Sequence, residues 1–316
     1  MSTPPPVAPL PAPAAGPAPE PLPLLGVAAG CFALCTLVAM LIAGRLAATG
    51  DALTIWDLAG LRQGVAMVCA LPLLLWTKPW RMKPRQYVVN ALFGGAPFVL
   101  LLFGGMVYAP VSHAGVFMNG MLPVAATIVA WCWLRTRPDR WQGLGIVIVL
   151  AGMAFVGREA FADGVAGEWR GHVLFVAAAC WFSVWYVAMR AWQQSVLQSM
   201  AALLVLNAVI YVPIWLLFLP SGLTTAPAGD ILLQAVVHGV FGAFIAVFGH
   251  AYAARTLGPL RQAAIMSGAP VLALLVAIPT LGEIPTVWGI VGAVIVTLGI
   301  LLVVGLRPWT WLRRRG

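Results

Sequence analysis

Apolar runs of the length a helix needs to cross a bilayer, about 17–25 residues, recur along this chain with short polar or basic breaks between them. The pattern predicts spans at 24–44, 53–76, 87–107, 112–134 and 141–156, then at 171–189, 200–218, 231–253, 259–280 and 285–304. A polar stretch at 157–170 separates the two sets of five. Backbone groups in hydrocarbon must be satisfied inside their own segment, so these runs read as helices and the fold class as all-α, polytopic, with ten transmembrane helices.

The two sets are related in sequence. An offset of 147 carries Pro123, Leu134, Pro138, Trp141, Gly145 and Gly152 onto Pro270, Leu281, Pro285, Trp288, Gly292 and Gly299. Weaker matches at offsets of 149 and 148 relate the first span to the sixth and the third to the eighth, Cys31 falling on Cys180 and Phe93 on Phe241. Five is odd, so the second half crosses the membrane in the opposite sense to the first. The expected organisation is a Pro/Ala-rich disordered tail at 1–22, a first repeat at 23–157, a linker at 158–170, a second repeat at 171–306 and a basic tail at 307–316. Inverted repeats of this kind suit alternating access around a site near the midplane.

Composition agrees: 62% of residues are hydrophobic and 9% charged, too little polar surface for a soluble globule of this size. The net charge of +9 does not point to nucleic acid, because the basic residues sit between apolar runs and line no polar face. With the N-terminus inside, ten Lys and Arg residues from Lys78 to Arg261 fall in inner loops, and Arg45, Arg158 and Arg170 fall outside. That bias predicts cytoplasmic N- and C-termini and a multi-pass protein of the cell (inner) membrane. The outer linker is then extracytoplasmic. Five cysteines lie in apolar segments without metal-ligand or CxxC spacing and read as small buried hydrophobes. Neither a metal nor a cofactor is expected.

Pro270, Leu281-Gly282-Glu283, Trp288, Gly292 and Gly299 resemble the pattern that closes each repeat in the EamA-like branch of the drug/metabolite transporter superfamily, and Arg62 resembles that family's second-helix arginine. The likeness spans 24–306. Leu134-Arg135-Thr136 and Phe32-Ala33 depart from it, where Leu-Gly-Glu and Trp-Gly are usual. The resemblance implies ten helices around a central cavity, the fifth and tenth peripheral, and movement of small metabolites.

Candidate site residues follow from depth. Pro123 and Pro270 each lie 11 residues into their spans, ~16 Å at about 1.5 Å per residue and thus near the midplane. Each frees the carbonyl four residues earlier, at Asn119 and Met266. Such a carbonyl needs a polar cavity or a neighbouring helix, the plain alternative being a packing kink. Asn119, Met118, Met266 and Ser267 are candidates for the cavity wall, with an interhelical hydrogen bond as the competing role for Asn119. Trp181, Trp185 and Tyr186 lie well inside the sixth span, where packing competes with cavity lining. In the eighth span His238, Phe241, Phe248 and Tyr252 share an α-helical face that meets lipid or cavity, while Gly239, Gly242, Ala243, Ala246 and Gly249 form a small face for close packing. Arg62 reads as a snorkelling cation or an anion-attracting one, and His238 and His250 as packing partners or proton acceptors. Asp57, five residues from Arg62, is off its face.

The function expected is a secondary transporter, exporter or exchanger, of small amphipathic metabolites such as amino acids, its partners being a small-molecule substrate and the lipid bilayer. The alternatives are a membrane enzyme acting on lipid-linked substrates, which needs converging acids, histidines or a metal, and a non-transporting scaffold. The scattered singletons favour a non-enzyme.

Overall fold

The computed structural model describes residues 23–162 and 167–306; the expected tails at 1–22 and 307–316 lie outside the described residues. Ten apolar helices make up the bundle: α1 (Leu24–Ala48), α2 (Ile55–Thr77), α3 (Pro84–Tyr108), α4 (Val111–Leu134), α5 (Arg140–Ala162), α6 (Glu168–Ala191), α7 (Val196–Phe218), α8 (Ala228–Leu257), α9 (Leu260–Leu281) and α10 (Val287–Val303). No strand occurs among the described residues. Side chains such as Leu75, Trp76, Leu217 and Phe218 are more than 70% exposed on the outside, as a bilayer requires of a lipid-facing band.

Contacts near the helix ends fix the topology. At one end Arg45 pairs with Glu283, Val111 N–H donates to Glu283, and Thr54 donates to Pro220. At the other, the basic end, Asn90 meets Gln194 and Ser199, and Gln142 donates to the Val303 carbonyl. Each half therefore crosses an odd number of times, and α6 begins at the end opposite to α1.

Helices α5 and α10 pack backbone to backbone. A methyl placed on Gly152 would sit 2.9 Å from the Gly292 carbonyl oxygen, and one on Gly299 would sit 3.0 Å from that of Gly145. The glycines equivalent in the repeat thus cross over: Gly145 meets Gly299 and Gly152 meets Gly292. Only an antiparallel pair with small residues at these positions allows that approach. The pair is not wholly peripheral, since Ile300 and the adjoining Val304 reach the central cavity.

Three local expectations change. The stretch 157–170, expected as loop, lengthens α5 to Ala162 and begins α6 at Glu168; polar side chains at a helix end can leave the hydrocarbon or find partners. Cys31, Cys35, Cys132 and Cys180 are exposed on the bundle surface and not buried, because a small apolar side chain suits lipid as well as a core. The proline helices also diverge from each other. Helix α4 widens into a π turn at Gly115–Asn119 ahead of Pro123, while α9 stops at Met266 and restarts at Ala269. Pro270 thereby enters the first turn of a new segment, where its missing N–H is not needed. Helix α3 bends at Gly95, and Asn207 of α7 repairs the break by accepting from Ala96 N–H and donating to the Ala91 carbonyl.

At the end opposite the basic one, Asp57 is fully buried. Its carboxylate accepts from Trp215 Nε1 (2.8 Å), Ser221 Oγ (2.5 Å), Gly222 N–H (2.9 Å) and Thr54 N–H (2.8 Å), and Thr54 Oγ1, 2.9 Å away, shares its one hydrogen between this carboxylate and the Pro220 carbonyl. It caps α2 and ties that helix to α7 and to the segment after it. Asp57→Ala strands these donors, and we expect a loss of about 3 kcal/mol, measured as a lowered melting temperature of the purified protein while cavity-wall substitutions leave the melt near that of the parent.

Candidate functional site: a central cavity

Inside the bundle lies a cavity of about 530 Å³ walled by nine of the ten helices, all except α5. It reaches from Phe103 and Arg62, in the outer third of α3 and α2, down to Val196 and Val304 at the basic end. The opposite end is shut by side chains. Arg45 Nε lies 2.9 Å from Glu283 Oε1, its Nη1 donates to the Met106 carbonyl, and Glu283 Oε2 accepts from Val111 N–H at 2.9 Å. One carboxylate in the α9–α10 turn thereby binds α1 and the start of α4, and through Arg45 the end of α3.

The wall is mostly apolar, with one aromatic side. Phe98 stacks on Phe182 (4.2 Å between centroids), and Phe182, Trp185 and Tyr186 form a cluster at 4.9–5.5 Å. Small residues of α8 let it approach its neighbours closely: Gly239 packs against Val65 of α2, and Gly242 against Met40 of α1.

Against that apolar wall stand polar atoms without a hydrogen-bond partner among the described residues: Gln63 Nε2, Asn119 Nδ2, Trp185 Nε1, both ring nitrogens of His238 and Gln262 Oε1. Gln262 Nε2 is engaged with His250 Nδ1 at 3.0 Å. Arg62 is half-buried in the wall. Its polar contact is an approach of Nη1 to Met40 Sδ at 3.8 Å, and among the described residues no carboxylate comes within 4.0 Å of it. Asp57 faces away into its own network. A buried polar atom left unpaired costs ~1–3 kcal/mol, more when charged, so this set can pair with water or with the polar groups of a guest inside an apolar chamber.

Of the residues named from sequence, the structure brings Met118, Asn119, Pro123, Trp185, Tyr186, Arg62, His238, His250, Met266 and Ser267 onto this one wall. Five lie elsewhere. Trp181 donates its Nε1 hydrogen to the Leu92 carbonyl and lies against Phe93. Phe241, Phe248 and Tyr252 are 39%, 39% and 40% exposed and do not line the cavity. Pro270 is buried against Gly115. His238 and Phe241 part because α8 is a π helix over Ala235–Ile245; i→i+5 bonding adds a residue to each turn, so positions three apart no longer share a face. The sequence reading missed Gln63, Gln262, Phe98 and Phe182. Amides and phenylalanines in apolar runs carry no local mark, and the partial signal for Gln63 and Gln262 is the intramembrane cost of an amide.

No curated protein matches the chain. Among solved structures, a crystal structure at 21% identity superposes with a TM-score of 0.61 over 92% of this chain and 98% of its own, a likeness of fold. A family model covers both repeats, at residues 24–158 and 169–305. With two inverted halves enclosing a cavity of this kind and both halves matched, the chain belongs to the EamA-like transporter family.

Proposed function

We propose that this membrane transporter moves small amphipathic metabolites bearing a carboxylate, amino acids and related compounds among them, as an exporter or exchanger working by alternating access. The observation that carries the reading is Arg62: a guanidinium in the cavity wall with no acidic partner among the described residues. A planar fork of N–H donors in a low-dielectric chamber favours a carboxylate held by two parallel hydrogen bonds. Asn119, Gln63 and Gln262 are placed to take the remaining polar groups, and the aromatic side to take an apolar one. A doubly charged phosphate ester is disfavoured, because among the described residues Arg62 is the only Lys or Arg on the wall.

Orientation is part of the same proposal. The basic end faces the cytoplasm, with both termini there, and the repeats meet across the linker at 158–170. The arginines left on the outer side each have a particular partner: Arg45 pairs with Glu283, Arg158 lies 4.9 Å from the Trp288 ring, and Arg170 lies 5.9 Å from both Tyr108 and Trp169. They need no cytoplasmic loop to account for them. The cavity, reaching the basic end and latched at the other, then belongs to the inward-facing state.

Proteoliposomes loaded with a candidate metabolite and offered the labelled compound test this reading. Saturable exchange is expected for amphipathic carboxylates, with competition by their analogues and none by phosphorylated sugars. Asn119→Ala raises KM about fivefold, the worth of a hydrogen bond of ~1 kcal/mol. Exchange restricted to phosphorylated or cationic solutes overturns the proposal.

A further inference from the structure

A second polar cluster lies outside the cavity, at the end where the bundle is latched. His113, in the first turn of α4, meets Glu168 and His172, which stand one turn apart at the start of α6. Each is 6% exposed. His113 Nδ1 lies 2.6 Å from Glu168 Oε1 and 2.9 Å from His172 Nε2, and Oε1 lies 3.7 Å from that Nε2. None of the three lines the cavity.

Hydrogen bonding accounts for only part of this convergence. The same atom, Nδ1, makes both short contacts and carries at most one hydrogen. Despite its proximity to two ring nitrogens, Glu168 Oε1 has no aligned hydrogen bond to either. Three atoms that can each offer a lone pair therefore gather within 4.8 Å of one another, and a cation is what such a set can accommodate. Ligand atoms ~2.0–2.1 Å from a tetrahedral zinc stand about 3.4 Å from one another; the 3.7 Å edge is near that spacing, and the 2.6 and 2.9 Å edges reach it by opening about 0.5–0.8 Å on binding. The Phe117 ring, stacked on His172 at 4.1 Å and 8°, walls one side and holds that imidazole in place.

We infer that His113, Glu168 and His172 form a binding site for a divalent transition metal, zinc being the fitting ion, which clamps α4 to α6. Two imidazoles and one carboxylate favour zinc over magnesium or calcium, which take all-oxygen sites. Three protein ligands leave a fourth position for water. Because His113 lies two residues before the π turn Gly115–Asn119, an ion here fixes the part of α4 that presents Met118 and Asn119 to the cavity. The site is thus regulatory or structural and lies apart from the transport path.

The test needs no transport assay. Purified full-length protein is stripped with a chelator and titrated with zinc chloride alone, reading retained zinc by elemental analysis and the apparent melting temperature. The expected result is retention of zinc with a melt that rises with its concentration by mass action, and no comparable effect of magnesium. Glu168→Gln, which keeps the side chain's shape, and His172→Ala each weaken binding by ~10-fold or more, whereas His250→Ala, in the cavity, leaves it intact. Absence of retained zinc in the parent protein, or equal retention by Glu168→Gln, overturns the inference. So does a His113→Ala/His172→Ala variant, monodisperse by gel filtration, that binds zinc as the parent does.

Discussion

Arg62→Ala is expected to lower kcat/KM for a carboxylate substrate by ~100-fold or more, because two charge-assisted hydrogen bonds of about 1.5–3 kcal/mol each disappear together. The geometry makes this a test of binding and not of folding. Arg62 makes no salt bridge among the described residues, and its recorded polar contact is the long one to Met40, so its loss breaks little that holds the bundle. A melt within a few degrees of the parent protein should accompany the lost exchange. Arg62→Lys keeps the charge but loses the planar fork and should recover only part of the rate. Unaltered exchange kinetics in Arg62→Ala would show that the substrate's anionic group, if it has one, binds elsewhere.

Gly152→Leu should prevent recovery of monodisperse protein. Even a methyl there stands 2.9 Å from the Gly292 carbonyl oxygen and 2.9 Å from Val296 N, and backbone cannot rotate aside as a side chain can. Overpacking of a close-packed contact costs typically ~1–3 kcal/mol, and a contact against backbone on both sides belongs at or beyond the top of that range. Gly299→Leu meets Val149 N and the Gly145 carbonyl in the same way and should behave alike. Gly143 is the control, since an added methyl there meets nothing within 4 Å, and Gly143→Leu should purify as the parent does. Size-exclusion profiles of the three variants decide it; an intact Gly152→Leu protein would mean that α5 and α10 do not meet at these glycines.

These two residues also show what can be read without coordinates. The glycines stand out because the chain repeats them, Gly145 with Gly292 and Gly152 with Gly299, and the repeat implies inversion by parity alone. Their actual partners are crossed, a consequence of packing two antiparallel copies face to face that no alignment of one copy on the other displays. Arg62 is visible as an intramembrane charge, but whether it snorkels or faces a chamber depends on which side of α2 the other helices cover. Asp57 reads only as a poor partner for Arg62; its actual donors lie more than 150 residues away as well as at Thr54.

The sequence by itself determined the helices and their number, since both depend on residue type and spacing within about 25 residues and on the demand that hydrocarbon makes of a backbone, and it carried the duplication in residues matched 147 apart. Tertiary structure decided the rest. It gave Pro123 a π turn and Pro270 a helix break, turned Phe241 outward while His238 stayed inside, latched Arg45 to Glu283 across 238 residues, and gathered His113 with Glu168 and His172 from two helices. The physical reason is the same in each case: a helix's own hydrogen bonds set where its side chains project, but only its neighbours determine which of those directions is cavity, lipid or partner.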